Sequence, residues 1–126
     1  MSALTFTLKK DLIQKLDVSP LTPNLLADKI HAEIASTLLW YGKQQIRADE
    51  TFEITGNNAN ELVFNKSTSK IDHIGSGLKT GKITVNGDAG AFLAFNMSNG
   101  NIIVNGNVAD FAASGMAGGL LEINGN

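Results

Sequence analysis

Few residues in this chain carry the side chains that catalysis or metal binding usually requires. There is no cysteine, so disulfides and thiol catalysis are excluded, and the two histidines are His31 and His73. A transition-metal site would therefore need these histidines together with carboxylates. His73 has no second histidine near it, so we expect it to pack like an aromatic side chain instead of acting as a ligand or general base. The sequence predicts no grouping of nucleophile, base and orienting group.

The stretch GSGLKTGK, residues 75–82, suggests phosphate binding at first sight. A Walker A loop requires glycine at position 76, which is Ser, and Ser or Thr at position 83, which is Ile. A dinucleotide-binding loop would need a third glycine at position 80, which is Thr, followed by a helix where a strand is predicted. We therefore interpret the segment as a glycine-rich corner of a repeating structure.

Composition narrows the class of partner and the location. The net charge is −2 and Arg47 is the only arginine, so the basic surface typical of nucleic-acid or anionic-membrane binders is missing. No apolar run has the length of a signal peptide's core or of a membrane span, which predicts a cytoplasmic protein. At 126 residues, the chain is long enough for one modest core.

The composition changes near residues 60–75, which predicts an α+β segment over residues 1–60 and a second region over residues 61–126. In the first, LTFTL alternates like a strand, and SPLTPN is a loop because each proline disfavours helix in the residue before it. Leu26, Ile30 and Ile34 are spaced as on an amphipathic helix. That helix could continue through Tyr41, or residues 37–48 could form strands that turn at YGK. Trp40 and Tyr41 fit an interface anchor or a buried position equally well.

The second region is a repeat with a sequence period of 19. Eleven of the thirteen glycines lie there, and two sets of them keep this spacing. The glycines that we assign to corners are Gly75, Gly77, Gly81, Gly87, Gly100, Gly106, Gly119 and Gly125. Apolar residues and asparagines recur in the same way, and the asparagines are Asn86, Asn105 and Asn124. The aspartates Asp72, Asp88 and Asp110 do not share a position in the repeat, so we interpret them as solvated turn residues.

A period that holds at every position of the repeat favours stacked windings over three separate hairpins, because a hairpin fixes only its own turn and arms. One winding buries too few side chains to offset the entropy of ordering it, so each relies on its neighbours. The fold predicted is mainly β, a parallel β-helix with one coil per repeat, in which stacked asparagines form an amide ladder. The predicted stacked core consists of Ile83, Ile102, Leu121, Val85, Val104, Ile123, Phe92 and Phe111.

The segments HIGSGLKTGKITVNGDAG, MSNGNIIVNGNVADF and GMAGGLLEINGN resemble the C subunit of formylmethanofuran dehydrogenase and of the bacterial formyltransferase/hydrolase complex. These glycine repeats also resemble the C-terminal domain of the glutamate synthase large subunit. The resemblance implies a right-handed, single-stranded β-helix that docks beside an amidohydrolase-like subunit as a non-catalytic scaffold. It implies no catalytic, metal or cofactor-binding residue in this chain, while the complex would use tetrahydromethanopterin and methanofuran-type carriers.

The family pattern continues for several more coils, whereas LLEINGN ends this sequence. We expect either a fragment or short relative, or a final coil that a protein partner or another copy covers. The first hypothesis is a structural subunit of a formyl-transfer complex in one-carbon metabolism. The alternative is a stand-alone β-helix that forms homo-oligomers through its last coil, and a third possibility is an enzyme that uses His73.

Overall fold

The structure, a computed structural model, describes residues 2–125 and is mainly β. Within these residues, no helix has the length and apolar character needed to cross a membrane. The strands are β1 (Ala3–Leu8), β2 (Leu16–Asp17), β3 (Leu38–Tyr41), β4 (Gln44–Arg47), β5 (Phe52–Thr55), β6 (Asn58–Ser67), β7 (Ile71–Asp72), β8 (Lys82–Gly87), β9 (Asn101–Val104) and β10 (Leu120–Ile123). The short helices are α1 (Pro23–Leu26), α2 (His31–Ala35) and α3 (Ala48–Thr51).

The larger sheet has six strands in the order β10-β9-β8-β6-β1-β5, and every neighbouring pair except β1 and β5 is parallel. Ile83 faces Ile102, and Ile102 faces Leu121, so residues one sequence period apart are partners. Between β6 and β8 the register differs, because Leu62 faces Ile83 and a bulge follows Asn65. We call the chain from the start of one of these parallel strands to the start of the next a winding.

Successive windings also pair outside the strands. The backbone N–H of Ala113 donates to Leu93 O at 2.7 Å, and that of Ala117 donates to Met97 O at 2.8 Å. Ala89 and Val108 form an isolated parallel bridge. The loops of the last windings therefore lie directly over one another, with their backbone groups satisfied by the neighbouring winding.

The first winding begins with β1, in the N-terminal region (residues 2–57). Leu4 and Phe6 of β1 face Leu62 and Phe64 of β6, and Leu16 of β2 faces Ile71 of β7. β6 itself runs across the division expected between residues 60 and 61. One buried apolar core continues through both regions, and that division stays a prediction.

Strand direction reverses at the outer edge of this first winding. β5 pairs antiparallel with β1, and the β3–β4 hairpin pairs antiparallel with β2 in a four-stranded sheet of order β4-β3-β2-β7. The strand predicted at LTFTL is confirmed as β1. Of the two alternatives for residues 37–48, strands that turn at YGK are confirmed as β3 and β4, and a helix that continues through Tyr41 is wrong.

The single amphipathic helix expected around Leu26, Ile30 and Ile34 is wrong. Two short helices, α1 and α2, occupy this region, and Ile30 lies between them in an extended conformation with φ −78° and ψ 163°. The Glu33 carboxylate accepts the Ile30 N–H at 3.0 Å, which starts α2 after Ile30. Leu26 and Ile34 are buried as expected, but Ile30 is 67% exposed because it is not on their face.

Candidate functional site

His73 lies in an aromatic stack on the outside of the windings. Its ring is parallel to that of Phe92, with centroids 5.0 Å apart, and Phe92 stacks on Phe111 at 5.1 Å. Phe95 contacts the rings of His73 and Phe92 edge-on, at 6.2 and 5.7 Å. The equal spacing of His73, Phe92 and Phe111 in the sequence therefore corresponds to direct ring contact, and His73 packs like the phenylalanines beside it.

The assignment of Phe92 and Phe111 to the stacked core is wrong. Both residues have positive φ values, 60° and 65°, and Phe111 is 64% exposed while Phe92 is half-buried. The inward position is taken by the next residue of the winding, Leu93, which is 1% exposed. The left-handed backbone at Phe92 and Phe111 accounts for the outward direction of their rings.

The remaining predicted core residues lie on the inner face of the large sheet. Ile83, Val85, Ile102 and Val104 are fully buried. Leu121 and Ile123 are partly buried and pack against the same core. Alternate residues of each strand thus face inward in register with those of the strands beside it.

Two columns of glycine run along the windings, and in both a side chain would meet backbone. Gly81, Gly100 and Gly119 have φ values of 82–87°, and a Cβ on Gly119 would lie 2.7 Å from Gly100 O. In the other column, a Cβ on Gly106 would collide with Gly87 O, and one on Gly125 would collide with Gly106 O. A Cβ on Gly87 would likewise collide with Ser67 O. These glycines permit the close approach of successive windings.

Two glycines of the segment GSGLKTGK also permit close packing. A Cβ on Gly75 would collide with Ile102 Cδ1, and one on Gly81 would lie 2.6 Å from Asn60 O. Gly77 has φ 71° with open space where its Cβ would be. Lys79 N–H donates to Asn24 Oδ1 at 3.2 Å, which ties the segment to α1. The close packing at Gly75 and Gly81 accounts for glycine there without a bound phosphate.

The asparagines form a hydrogen-bonded ladder that crosses the larger sheet near the C-terminal ends of β6, β8, β9 and β10. Asn86 Nδ2 donates to Asn65 Oδ1 at 2.8 Å, Asn105 Nδ2 to Asn86 Oδ1 at 3.0 Å, and Asn124 Nδ2 to Asn105 Oδ1 at 2.9 Å. Asn65 was not predicted to belong to the ladder because its separation from Asn86 is 21 and not 19. The signal was present in the shared pattern of apolar, any, apolar and Asn, which occurs in LVFN, ITVN, IIVN and LEIN.

The aspartates bridge windings instead of converging on one point. Asp72 accepts the Ala91 N–H at 2.9 Å and pairs with Lys15 Nζ at 3.4 Å. Asp88 accepts the Asn107 N–H at 3.0 Å. Residues 2–125 contain no group of three or more His, Asp or Glu side chains arranged to hold a metal ion.

His31, Trp40 and Tyr41 belong to the N-terminal region. His31 lines an open groove of about 520 Å³ together with Ile30 and Ile34. Tyr41 packs against the core, and its hydroxyl accepts the Ile13 N–H at 3.0 Å. Trp40 is 52% exposed on β3. Of the two aromatic residues, only Trp40 has the exposure that contact with another protein would need.

One ion pair at the surface shifts the pKa values of both of its members. Arg47 Nη2 lies 2.9 Å from Asp49 Oδ2, at the start of α3. The hydrogen bond and the positive charge of Arg47 lower the pKa of Asp49, and the same contact raises the pKa of Arg47. Both groups are exposed to solvent, so this pair contributes little to stability.

The chain is similar in sequence to C subunits of two kinds of formyl-group enzyme complex. No family model matches the chain. It is 29% identical over 86 residues to the C subunit of the Fhc formyltransferase/hydrolase complex of Methylorubrum extorquens, a match that covers 68% of this chain and 32% of that protein. It is 34% identical over 87 residues to the C subunit of the molybdenum-containing formylmethanofuran dehydrogenase 1 of Methanosarcina barkeri, covering 65% of this chain and 29% of that protein.

A solved structure agrees over nearly the whole chain. A chain of the formyltransferase/hydrolase complex FhcABCD from Methylorubrum extorquens, solved with methylofuran, superposes with a TM-score of 0.91 at 28% identity. In sequence and in fold, the chain is similar to these C subunits. The match covers 96% of this chain and 46% of the solved one, and the chain spans about a third of the length of the two curated relatives named above.

Proposed function

We propose that this protein is a non-catalytic scaffold subunit of a formyl-transfer complex, and that its windings form a right-handed parallel β-helix. The observation that carries the proposal is the agreement with a chain of FhcABCD at a TM-score of 0.91 over 96% of this chain. The parallel pairing of equivalent repeat positions in β8, β9 and β10 supports the β-helix.

The use of the polar residues supports a structural role. His73 is stacked between winding loops, Asp72 and Asp88 each bind a backbone N–H of the next winding, and the asparagines bind one another. Of these, the histidine and the two aspartates are of types that can act in acid–base chemistry. In this fold their hydrogen bonds and ring contacts hold successive windings together.

In this proposal the chemistry and the carriers belong to partner subunits. The solved relative is a complex of several subunits bound to methylofuran. By analogy, the complex proposed here would handle formyl groups on a methanofuran-type carrier and on tetrahydromethanopterin, in the cytoplasm. This chain would contribute the rigid surface on which the subunits assemble.

Affinity purification from the native cell tests the proposal. The tagged chain is expected to recover proteins similar to the other subunits of a formyltransferase/hydrolase or formylmethanofuran dehydrogenase complex, identified by mass spectrometry. A matched control carries Gly106→Asn, which disrupts the stacking of windings and should recover none of them. Recovery of the wild-type chain alone, as a homo-oligomer, would contradict the proposal and favour the stand-alone alternative.

A second variant separates scaffold from enzyme. His73→Phe keeps an aromatic ring in the stack with Phe92, so the purified complex should assemble and retain its formyl-transfer activity within about twofold. Loss of activity in a complex of normal composition would show that His73 takes part in the chemistry. Loss of assembly would instead indicate that the aromatic stack contacts a partner.

A further inference from the structure

Two packing requirements place a chemically labile pair of residues in each repeat. A glycine follows three of the four ladder asparagines, Asn86, Asn105 and Asn124. It is required because a Cβ at Gly87, Gly106 or Gly125 would collide with backbone of the preceding winding. The asparagine before it is required for the amide ladder. Their combination, Asn-Gly, is the sequence most prone to spontaneous deamidation, since glycine leaves its backbone nitrogen unhindered.

The chain contains four Asn-Gly pairs, and the fold treats them differently. Asn86, Asn105 and Asn124 are in the ladder, whereas Asn99 precedes Gly100 at an exposed corner. Within residues 2–125, the Asn99 side chain forms no hydrogen bond; only its backbone N–H does, to Leu78 O at 3.3 Å. The same dipeptide thus occurs in two environments within one molecule.

The reaction requires movement of the amide that the ladder holds. The backbone nitrogen of glycine loses its proton and bonds to Cγ of the asparagine, the Cγ–Nδ2 bond breaks, and Nδ2 leaves as ammonia with that proton. Water then opens the cyclic imide to give aspartate or isoaspartate, with no oxidation or reduction. Asn86 and Asn105 each donate one amide hydrogen bond and accept another in the ladder, so both bonds must be lost before Cγ can turn toward the glycine.

We propose that Asn99 is a site of spontaneous deamidation in the folded protein, and that the amide ladder protects the Asn-Gly pairs at Asn86 and Asn105. The ladder therefore has a second role beside its contribution to stacking. Deamidation within it would replace an amide donor with a carboxylate, which could no longer donate to the winding below. This inference is independent of the proposed function.

Peptide mapping of the intact chain tests the proposal. The folded protein is incubated at mildly alkaline pH, and conversion at each site is followed over time by digestion and mass spectrometry. Asn99 is expected to react at least about tenfold faster than Asn86 and Asn105, which corresponds to about 1.4 kcal/mol in the barrier. Equal rates in the folded protein, or faster reaction in the ladder, would overturn the proposal.

The same chain in denaturant is the matched control, because unfolding removes the ladder and leaves the sequence unchanged. The rates at the Asn-Gly pairs should then agree within about threefold, as the side-chain restraint is lost. If Asn99 still deamidated at least about tenfold faster than Asn86 and Asn105 in denaturant, local sequence would explain the difference in rate. The ladder would then have no protective role.

A variant that breaks the ladder provides a third test, in the folded state. Asn65→Ala removes the acceptor for Asn86 Nδ2, so the rate at Asn86 should rise about fivefold while the rate at Asn99 stays the same. Asn99→Gln is the companion variant and should leave the rates at Asn86 and Asn105 unchanged. An unchanged rate at Asn86 in folded Asn65→Ala protein would contradict the proposal, and the wild-type comparison decides the matter if that variant does not fold.

Discussion

The N-terminal region, residues 2–57, and the winding region, residues 58–125, build the same parallel core in different ways. In the winding region, equivalent repeat positions of β8, β9 and β10 are partners, and small residues let the windings approach closely. In the N-terminal region, β1 and β2 join the stack, but β3, β4 and β5 run antiparallel to them. The winding region can therefore extend by repetition, whereas the N-terminal region ends the stack.

This contrast shows where parallel pairing ends in the six-stranded sheet. Any strand at the edge of a sheet presents unpaired N–H and C=O groups, and here that strand is the short, antiparallel β5. β5 occupies that position beside β1, and Gly56 at its end lies so close to Ala3 that a Cβ would collide with Ala3 O. Reversal of direction requires a different chain path, which is why this region lacks the sequence period of the windings.

The largest expected effect comes from replacing a buried phenylalanine of the N-terminal region by alanine. The same change at an exposed phenylalanine of the winding region is the comparison. Phe6 is fully buried and contacts Phe64 at 5.3 Å and Phe52 at 5.8 Å, so Phe6→Ala should lower the free energy of unfolding by about 3–5 kcal/mol. Phe111→Ala removes an exposed ring and should cost about 1 kcal/mol or less. Urea unfolding measures both, and similar losses would break the proposed contrast between an aromatic core at one end and an external stack at the other.

A second test concerns the glycine columns. Gly106→Asn places a side chain against Gly87 O and should destabilise the protein by about 3 kcal/mol. Gly77→Asn makes the same change where the Cβ has open space, and the matching residue of the next winding, Asn96, is already asparagine with φ 56°. We expect a cost of about 1 kcal/mol or less there. Equal effects in thermal unfolding would show that the close approach of the windings does not determine the need for glycine at position 106.

The ladder gives a smaller effect. Asn105→Ala removes the amide that bonds to both Asn86 and Asn124, and we expect a loss of about 1 kcal/mol, since these bonds are exposed to water. Asn99→Ala, at the corner without ladder bonds, should change stability by less than about 0.5 kcal/mol. Hydrogen exchange of the β9 and β10 amides provides the local measurement, and unchanged exchange in Asn105→Ala would argue against any stabilising role of the ladder.

Sequence reasoning succeeded where one residue type is needed at one position in every winding. The sequence period predicted which residues are partners, since Ile83, Ile102 and Leu121 face one another. It could not predict which side of the winding a residue faces, because Phe92 and Phe111 keep the period but adopt positive φ outside the core. Periodicity identifies neighbours in a stack, whereas the direction of a side chain depends on backbone conformation that bulky residues rarely adopt.

The N-terminal winding was beyond the reach of sequence reasoning for a different reason. Leu4 faces Leu62, and the long segment between them includes all three helices and the antiparallel strands. With such a separation, no spacing rule connects the two strands. The helix pattern failed nearby because the spacing of Leu26, Ile30 and Ile34 is also compatible with two short helices separated by residues 27–30, of which Ile30 is extended.

The smallest expected effect lies at the surface of the N-terminal region. Arg47 lowers the pKa of Asp49 below its ordinary value of 3.8, so the ionised carboxylate favours the folded state. That contribution is present above the unfolded pKa and is lost as pH falls through the lower folded value. Arg47→Gln should move the pKa of Asp49 back toward 3.8 and leave β8, β9 and β10 unaffected, which NMR titration of the carboxyl and amide signals can measure. A shift of the β9 amide signals would show that the antiparallel strands at the end of the stack and its repeating part are coupled.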